Sequence, residues 1–233
     1  WPLRMRGRVT NAALAARTLD VSALVSEMHL EERVYAHRCV EAWSIVVPWV
    51  GFPLAKLVEM ARPAGDVRYV LFESHGNRSH GRFPSPWPWP YTEALTIEEA
   101  RNELAFLAVG MYQRPLPPQS GAPIRLVVPW KYGFKSIKAV TAITFATEED
   151  VQALQSGRRG AKPPTFWSSY NRGAEFGFWA NVNPEVPHPR WSQARERVLA
   201  DSKYAGPRIP TRLFNGYAAH VAHLYEGLQG ERL

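Results

Sequence analysis

Cys39 and Glu41 stand two residues apart, and Cys39 is the only cysteine in a chain of 233 residues. Residues 32–44 read as a β-strand. Val34, Ala36, Arg38 and Val40 then point one way, and Tyr35, His37, Cys39 and Glu41 the other. On that reading the thiol and the carboxylate share a face. A thiolate is a soft ligand for a transition metal, and a carboxylate beside it can carry protons or position water. The residue type leaves a second reading open, because an unpaired cysteine also serves as a small buried hydrophobe. One cysteine excludes an internal disulfide and any paired-cysteine motif.

A second group is cationic. Lys131, Lys135 and Lys138 surround Gly133 in what reads as a turn between two strands, with Arg125 just upstream. Backbone N–H groups in such a turn, ringed by lysines, make a nest for a phosphate, and an arginine adds a planar fork for an oxyanion. A solvated charged turn fits the same residues. The glycines do not have Walker-loop spacing. His220 and His223 stand three apart without a third ligand or an acid spaced for zinc, so they read as core or surface histidines. His188, Arg190 and Trp191 form a possible pocket wall with an anion clamp, and His75 and His80 lie in a polar loop as candidates for proton delivery.

The elements that must position these groups are short. Strands are expected at 1–9, 67–73, 124–130 and 139–145, besides the Cys39 strand and an apolar run at 44–49 that Gly51 should break. Short helices are expected after Asp20 and Ser22, from Pro53 at the first helical position through Leu54, Leu57, Val58 and Ala61, after a Thr96–Glu99 capping box, at 148–154 and at 192–199. Residues 211–217 read as a strand and turn, and 178–191 as irregular. The stretch 74–90 is first polar and then Pro-Trp-rich, the kind of long loop that often carries function. Nine Trp and twenty Pro fit a rigid, loop-rich fold. The expected architecture is one α+β domain with mixed sheets. The net charge of +7 favours an anionic partner. No apolar run reaches the roughly 18 to 20 residues that span a bilayer, and no signal peptide is visible. The chain starts at Trp1 in what reads as mid-strand, so a fragment or processed form is expected.

Several blocks together resemble the sulfite-oxidase-like molybdoenzymes, and within them the catalytic subunits of the periplasmic protein-methionine-sulfoxide reductases. The blocks are Arg38-Cys39-Val40-Glu41-Ala42-Trp43-Ser44, Val47 to Leu54, Leu116 to Arg125, Val128 to Lys135, Gly177 to Pro184, His188 to Ala194 and Leu213 to Tyr217. They run in order over nearly the whole chain, 1–233, which is therefore expected to be a single sulfite-oxidase-type molybdopterin-binding domain.

The resemblance implies one molybdenum per chain, held by a molybdopterin dithiolene and by Cys39 as a thiolate ligand. It implies that Arg125, Ser136, Ile137 and Lys138 contact the pterin or its phosphate. Ser74 falls where the family has a threonine and Ser120 where it has an asparagine, each still able to hydrogen-bond the cofactor. Glu41 matches a carboxylate close to the metal, and with Cys39 forms the expected catalytic pair. The implied activity is reduction of methionine sulfoxide, free or in oxidised proteins, by oxygen-atom transfer. The implied setting is the periplasm, with a haem-containing membrane subunit as electron donor. The chain itself is not expected to span a membrane or to bind nucleic acid. An upstream Asn-Asn-Phe-Tyr-Glu segment that touches the cofactor in the family is expected to be missing. Two alternatives stand beside this reading. One is a sulfite-oxidase-type enzyme with another small S- or N-oxide substrate. The other is a basic polyanion-binding module without catalysis, whose binding would weaken steeply with salt.

Overall fold

The computed structural model describes residues 1–16, 18–76, 90–155, 177–199 and 206–228. The chain opens with β1 (Pro2–Gly7), α1 (Ala12–Ala15), β2 (Thr18–Asp20) and α2 (Val21–Ser26). Asp20 caps α2 by accepting from the Ser22 N–H at 2.7 Å. Then come β3 (Glu31–Cys39), β4 (Trp43–Pro53) and α3 (Leu54–Ala61), followed by β5 (Val67–Ser74), β6 (Thr92–Thr96) and α4 (Ile97–Arg101). Next are β7 (Phe106–Met111), β8 (Arg114–Pro115), β9 (Arg125–Val127), β10 (Val140–Thr147) and α5 (Glu148–Leu154). The last elements are β11 (Arg195–Val198), β12 (Arg208–Pro210) and α6 (Ala218–Val221).

Two mixed sheets result. One has the order β2-β1-β10-β5-β6, with β1 parallel to β10 and the other pairs antiparallel. The other runs β12-β11-β4-β7-β8, with β3 added to β4 and β9 to β7. In it only the β11–β4 pair is parallel. The α+β, mixed-sheet expectation therefore holds. Helix α3 buries Leu54, Leu57, Val58 and Ala61 as its spacing predicts, with Pro53 one residue earlier than expected, at the N-cap. The Thr96–Glu99 capping box forms on α4, and Thr147 and Asp150 form a second one on α5.

Four local expectations are corrected. Gly51 does not break the apolar run: β4 continues to Pro53, and the register shifts between Val50 and Gly51. A β-carbon at Gly51 would lie 2.0 Å from the Leu107 carbonyl oxygen, so the glycine marks a close strand approach. Of the strand expected at 124–130, only Arg125–Val127 pairs. The helix expected at 192–199 is instead β11, laid parallel to β4 with Arg197 opposite Trp43. Residues 211–217 form no strand: Phe214 and Asn215 sit in left-handed conformation in a 3-10 turn. There Asn215 donates to the Ala36 and Pro129 carbonyls at 3.0 and 2.8 Å. Both misread segments are held by partners distant in sequence, which local pattern does not contain. His80 and most of the 74–90 loop lie outside the described residues.

Candidate functional site

Strand β3 ends at Cys39, and β4 begins at Trp43, its partner across the hairpin. The connection is three residues, with Ala42 at φ 62° and its N–H bonded to the Cys39 carbonyl at 3.1 Å. A three-residue hairpin loop with a left-handed last position is a favoured solution for this length. Glu41 therefore sits in the turn, not on the strand face expected for it. The turn still folds its carboxylate back, with Oε2 3.8 Å from Cys39 Sγ. The Trp43 indole N–H donates to the same oxygen at 3.2 Å and fixes it. Cys39 is half-buried, and burial pushes its thiol up to about 11. An uncomplexed Cys39 is thus protonated at neutral pH.

The turn is anchored from behind. Arg38 is fully buried and holds the Cys39 carbonyl with one nitrogen. Its other donors reach Glu196 at 2.7 Å, the Gln193 side chain at 2.9 Å and Thr211 at 3.1 Å. Gln193 and Trp191 both donate to the Val40 carbonyl, at 2.6 and 2.9 Å. Val34, on the same nominal face as Arg38, is exposed, so β3 changes surroundings along its length. The resemblance implied no role for Arg38; its burial and four partners assign it to positioning the sulfur.

The cationic residues divide into two groups. Arg125 is buried on β9 and donates to the Ser120 and Ser136 carbonyls at 2.8 and 2.9 Å. Lys138 is exposed and donates to the Gln119 carbonyl at 2.7 Å. Ser136 Oγ accepts from the Val128 N–H at 3.1 Å, and Ile137 is buried with its carbonyl bonded to Leu126. Ser74 ends β5 opposite Val140, which brings it beside the 136–140 segment. Ser74, Ser120, Arg125, Ser136, Ile137 and Lys138 are thus neighbours, although they span sixty-odd positions of sequence. Among the described residues neither Arg125 nor Lys138 forms an ion pair; their acceptors are carbonyls. Burial lowers Arg125 to about 10, and partial desolvation of its stem together with the Arg125 charge lowers Lys138.

Lys131 and Lys135 do not join this group, which corrects the expected ring of lysines. Lys131 turns inward to Glu99 at 2.6 Å, and also meets the Trp179 carbonyl and Asn181. Lys135 pairs with Glu93 at 2.7 Å. Both are completely buried, where a cation requires a counter-charge.

His37 links Cys39 to the cradle. It lies on the same face of β3, and burial together with the Arg125 and Lys138 charges pulls it down to about 4. A β-carbon on Gly133 would come within 2.6 Å of its Nε2, so only glycine admits the ring there. Trp49 meets His37 edge-on at 6.3 Å and lies 4.8 Å beneath Arg125. The alternation of β3 already placed His37 beside Cys39, a signal sufficient to nominate it. Trp49 carried no comparable signal. Of the other described histidines, His29 and His223 are exposed, and three have partners elsewhere. His220 pairs with Glu103 at 2.9 Å, His188 stacks on Trp191 at 3.6 Å, and His75 packs against Trp1. Among the described residues no cluster of His, Cys, Asp and Glu is arranged for a metal held by protein alone.

Two buried donors test what this cradle fits. Ser74 Oγ and Trp49 Nε1 have no hydrogen-bond partner among the described residues. Orphaned donors of that kind are costly unless a ligand accepts from them. Together with Arg125, Lys138 and one soft sulfur, they suit an anionic, oxygen- and nitrogen-rich group that brings its own metal. A mixed-sheet domain with this donor set is suited to holding an anionic cofactor. The family model described as the oxidoreductase molybdopterin binding domain matches residues 1–154, and the chain belongs to that family. Its cofactor is molybdenum-molybdopterin, and its chemistry is molybdenum-dependent oxidoreduction.

The crystal structure of the sulfane dehydrogenase SoxCD from Paracoccus pantotrophus is similar, with a TM-score of 0.50 and 17% identity over 65% of this chain. That likeness concerns the fold alone. This chain covers 40% of that neighbour's length. No described helix is long and apolar enough to cross a membrane.

Proposed function

We propose that this chain is the catalytic domain of a reductase that converts methionine sulfoxide, free or in oxidised proteins, to methionine. Cys39 would hold the metal, and Ser74, Ser120, Arg125, Ser136, Ile137 and Lys138 the pterin and its phosphate. The observation that carries the reading is the Glu41 carboxylate 3.8 Å from Cys39 Sγ, fixed by Trp43 and open to solvent. The reaction takes a sulfoxide, two protons and two electrons to a sulfide and water. When bound, the cofactor supplies the oxygen-accepting and two-electron chemistry. Glu41 collects protons from solvent and delivers them beside the sulfur ligand. A fixed carboxylate there also repels an oxyanion such as sulfite, while a sulfoxide is neutral. The further parts of this reading are export to the periplasm and electrons from a haem-containing membrane subunit.

The test is to assay sulfoxide reduction, with a reduced viologen dye as donor, and sulfite oxidation on one molybdenum-loaded preparation. Sulfoxide turnover without sulfite turnover is expected. Sulfite oxidation alone would replace the assignment with the sulfite-oxidase type. Salt-sensitive polyanion binding by a preparation that loads no molybdenum would replace it with the binding module.

A further inference from the structure

His37 lies on β3 two residues before Cys39 and on the same face, so about 7 Å of strand separates them. Its ring reaches across to the 131–138 segment, where a β-carbon on Gly133 would come 2.6 Å from Nε2 and 3.0 Å from Cε1. The charges that act on it are those of Arg125 and Lys138, both assigned to the cradle. Trp49, edge-on to the ring at 6.3 Å, carries a buried indole N–H without a hydrogen-bond partner among the described residues. The imidazole is placed likewise, since none of the described residues gives it a hydrogen bond or an ion pair. It is not sealed, however. His37 keeps part of its solvent exposure, while Trp49 and Arg125 beside it are buried. An imidazole in that setting borders open space, with the sulfur at one end and the cations at the other.

We propose that His37 is a cofactor-binding residue, which hydrogen-bonds the molybdopterin ring system between the metal held by Cys39 and the phosphate held by Arg125 and Lys138. A pterin edge carries both N–H donors and nitrogen or carbonyl acceptors. A neutral imidazole, with one nitrogen donating and the other accepting, matches such an edge. An alkyl side chain at this position would leave the polar edge unsatisfied, and a carboxylate would repel the phosphate. Gly133 is then small so that the imidazole can stand over the cavity. The proposal rests on the cofactor placement given above and is independent of the sulfoxide substrate.

One test needs no substitution. Trypsin cuts after Arg33 and Arg38, so residues 34–38 form a peptide whose single histidine is His37. Diethyl pyrocarbonate should acylate that peptide in the cofactor-free protein and lose access to it in the holoenzyme, as mass spectrometry reads. The exposed His29 and His223 should react alike in both forms. Equal acylation of His37 in the two forms, or none in either, would overturn the assignment.

The second test follows cofactor loss from the holoenzyme during dialysis, by pterin fluorescence. His37→Phe keeps an aromatic ring and removes both nitrogens. Loss should become about three- to tenfold faster, the worth of one hydrogen bond, with the melting temperature of the cofactor-free protein unchanged. His37→Gln, which restores a donor and an acceptor, should recover most of the retention. Gly133→Ala should speed loss by displacing the imidazole, and should add nothing in a His37→Ala background. Unchanged retention in His37→Phe, or equal destabilisation of the loaded and cofactor-free protein, would make His37 a packing residue instead. An equal effect of Gly133→Ala with and without the imidazole would do the same. Lys138→Gln, dialysed alongside, separates the two readings. Faster loss there with normal retention in His37→Phe removes His37 alone, and normal retention in both removes the cradle as well. If His37→Phe fails to fold, the acylation and the glutamine variant still decide.

Discussion

Lys131 and Lys138 belong to the same short lysine-rich run, and the fold gives them opposite tasks. Lys131 is fully buried, and its ammonium meets Glu99 at 2.6 Å, with Asn181 and the Trp179 carbonyl completing its shell. Burial pulls it down to about 8 against the attraction of Glu99. Lys138 is exposed, and among the described residues its ammonium finds only the Gln119 carbonyl. A cation matched by a carboxylate has spent its field inside the protein. A cation matched by a carbonyl keeps most of its charge for an anion that arrives later. The same contrast separates Lys135, paired with Glu93, from Arg125, held by the Ser120 and Ser136 carbonyls. The difference between structural and ligand-binding cations thus lies in the partner rather than in the residue type.

Four measurements would break or sharpen that contrast. The largest effect is expected at the sulfur between the two regions. Cys39→Ser should abolish turnover while leaving the melting temperature within a few degrees, because Arg38 and Trp191 still hold the hairpin. Normal turnover would remove Cys39 from the metal. Next, Lys131→Met should destabilise the fold by about 3–5 kcal/mol, since it leaves the Glu99 carboxylate buried without its counter-charge. Thermal or denaturant unfolding reads this directly, and a loss below about 1 kcal/mol would mean that water enters the site. Third, Lys138→Gln should leave unfolding unchanged and weaken cofactor retention by about ten- to a hundredfold, the worth of one charge-assisted contact. Pterin fluorescence remaining after gel filtration measures retention without recourse to activity. A stability loss with normal retention would move Lys138 into the structural group. The smallest effect is expected at the exposed pair of Arg6 and Glu73, 3.0 Å apart, where Arg6→Gln should cost no more than about 1 kcal/mol.

Glu99 shows why only part of this was legible beforehand. Its place three residues after Thr96 announced a capping box, and its Oε2 does accept from the Thr96 N–H at 2.9 Å. Its other oxygen serves Lys131 and the Tyr225 hydroxyl, the latter at 2.6 Å. Those partners are far along the chain, and no spacing rule connects them. Glu41 shows the complementary case. Its nearness to Cys39 was expected from strand alternation, and the nearness holds for a different reason, a three-residue turn. The period-2 argument assumed that the strand continues, whereas the Ala42 conformation ends it.

The sequence by itself determined the residues available for chemistry, the α+β class and the caps of its short helices. These depend on residue type and on neighbours a few positions away, where propensity and periodicity act. Tertiary structure decided which lysines are buried with acids and which stay open, that 195–198 pairs with β4 instead of coiling, and that His37, Trp49 and Arg125 meet. Those outcomes depend on long-range pairing and on desolvation. A charge placed in the interior must find a counter-charge wherever the fold brings one, and that choice is not written in any local stretch of the chain.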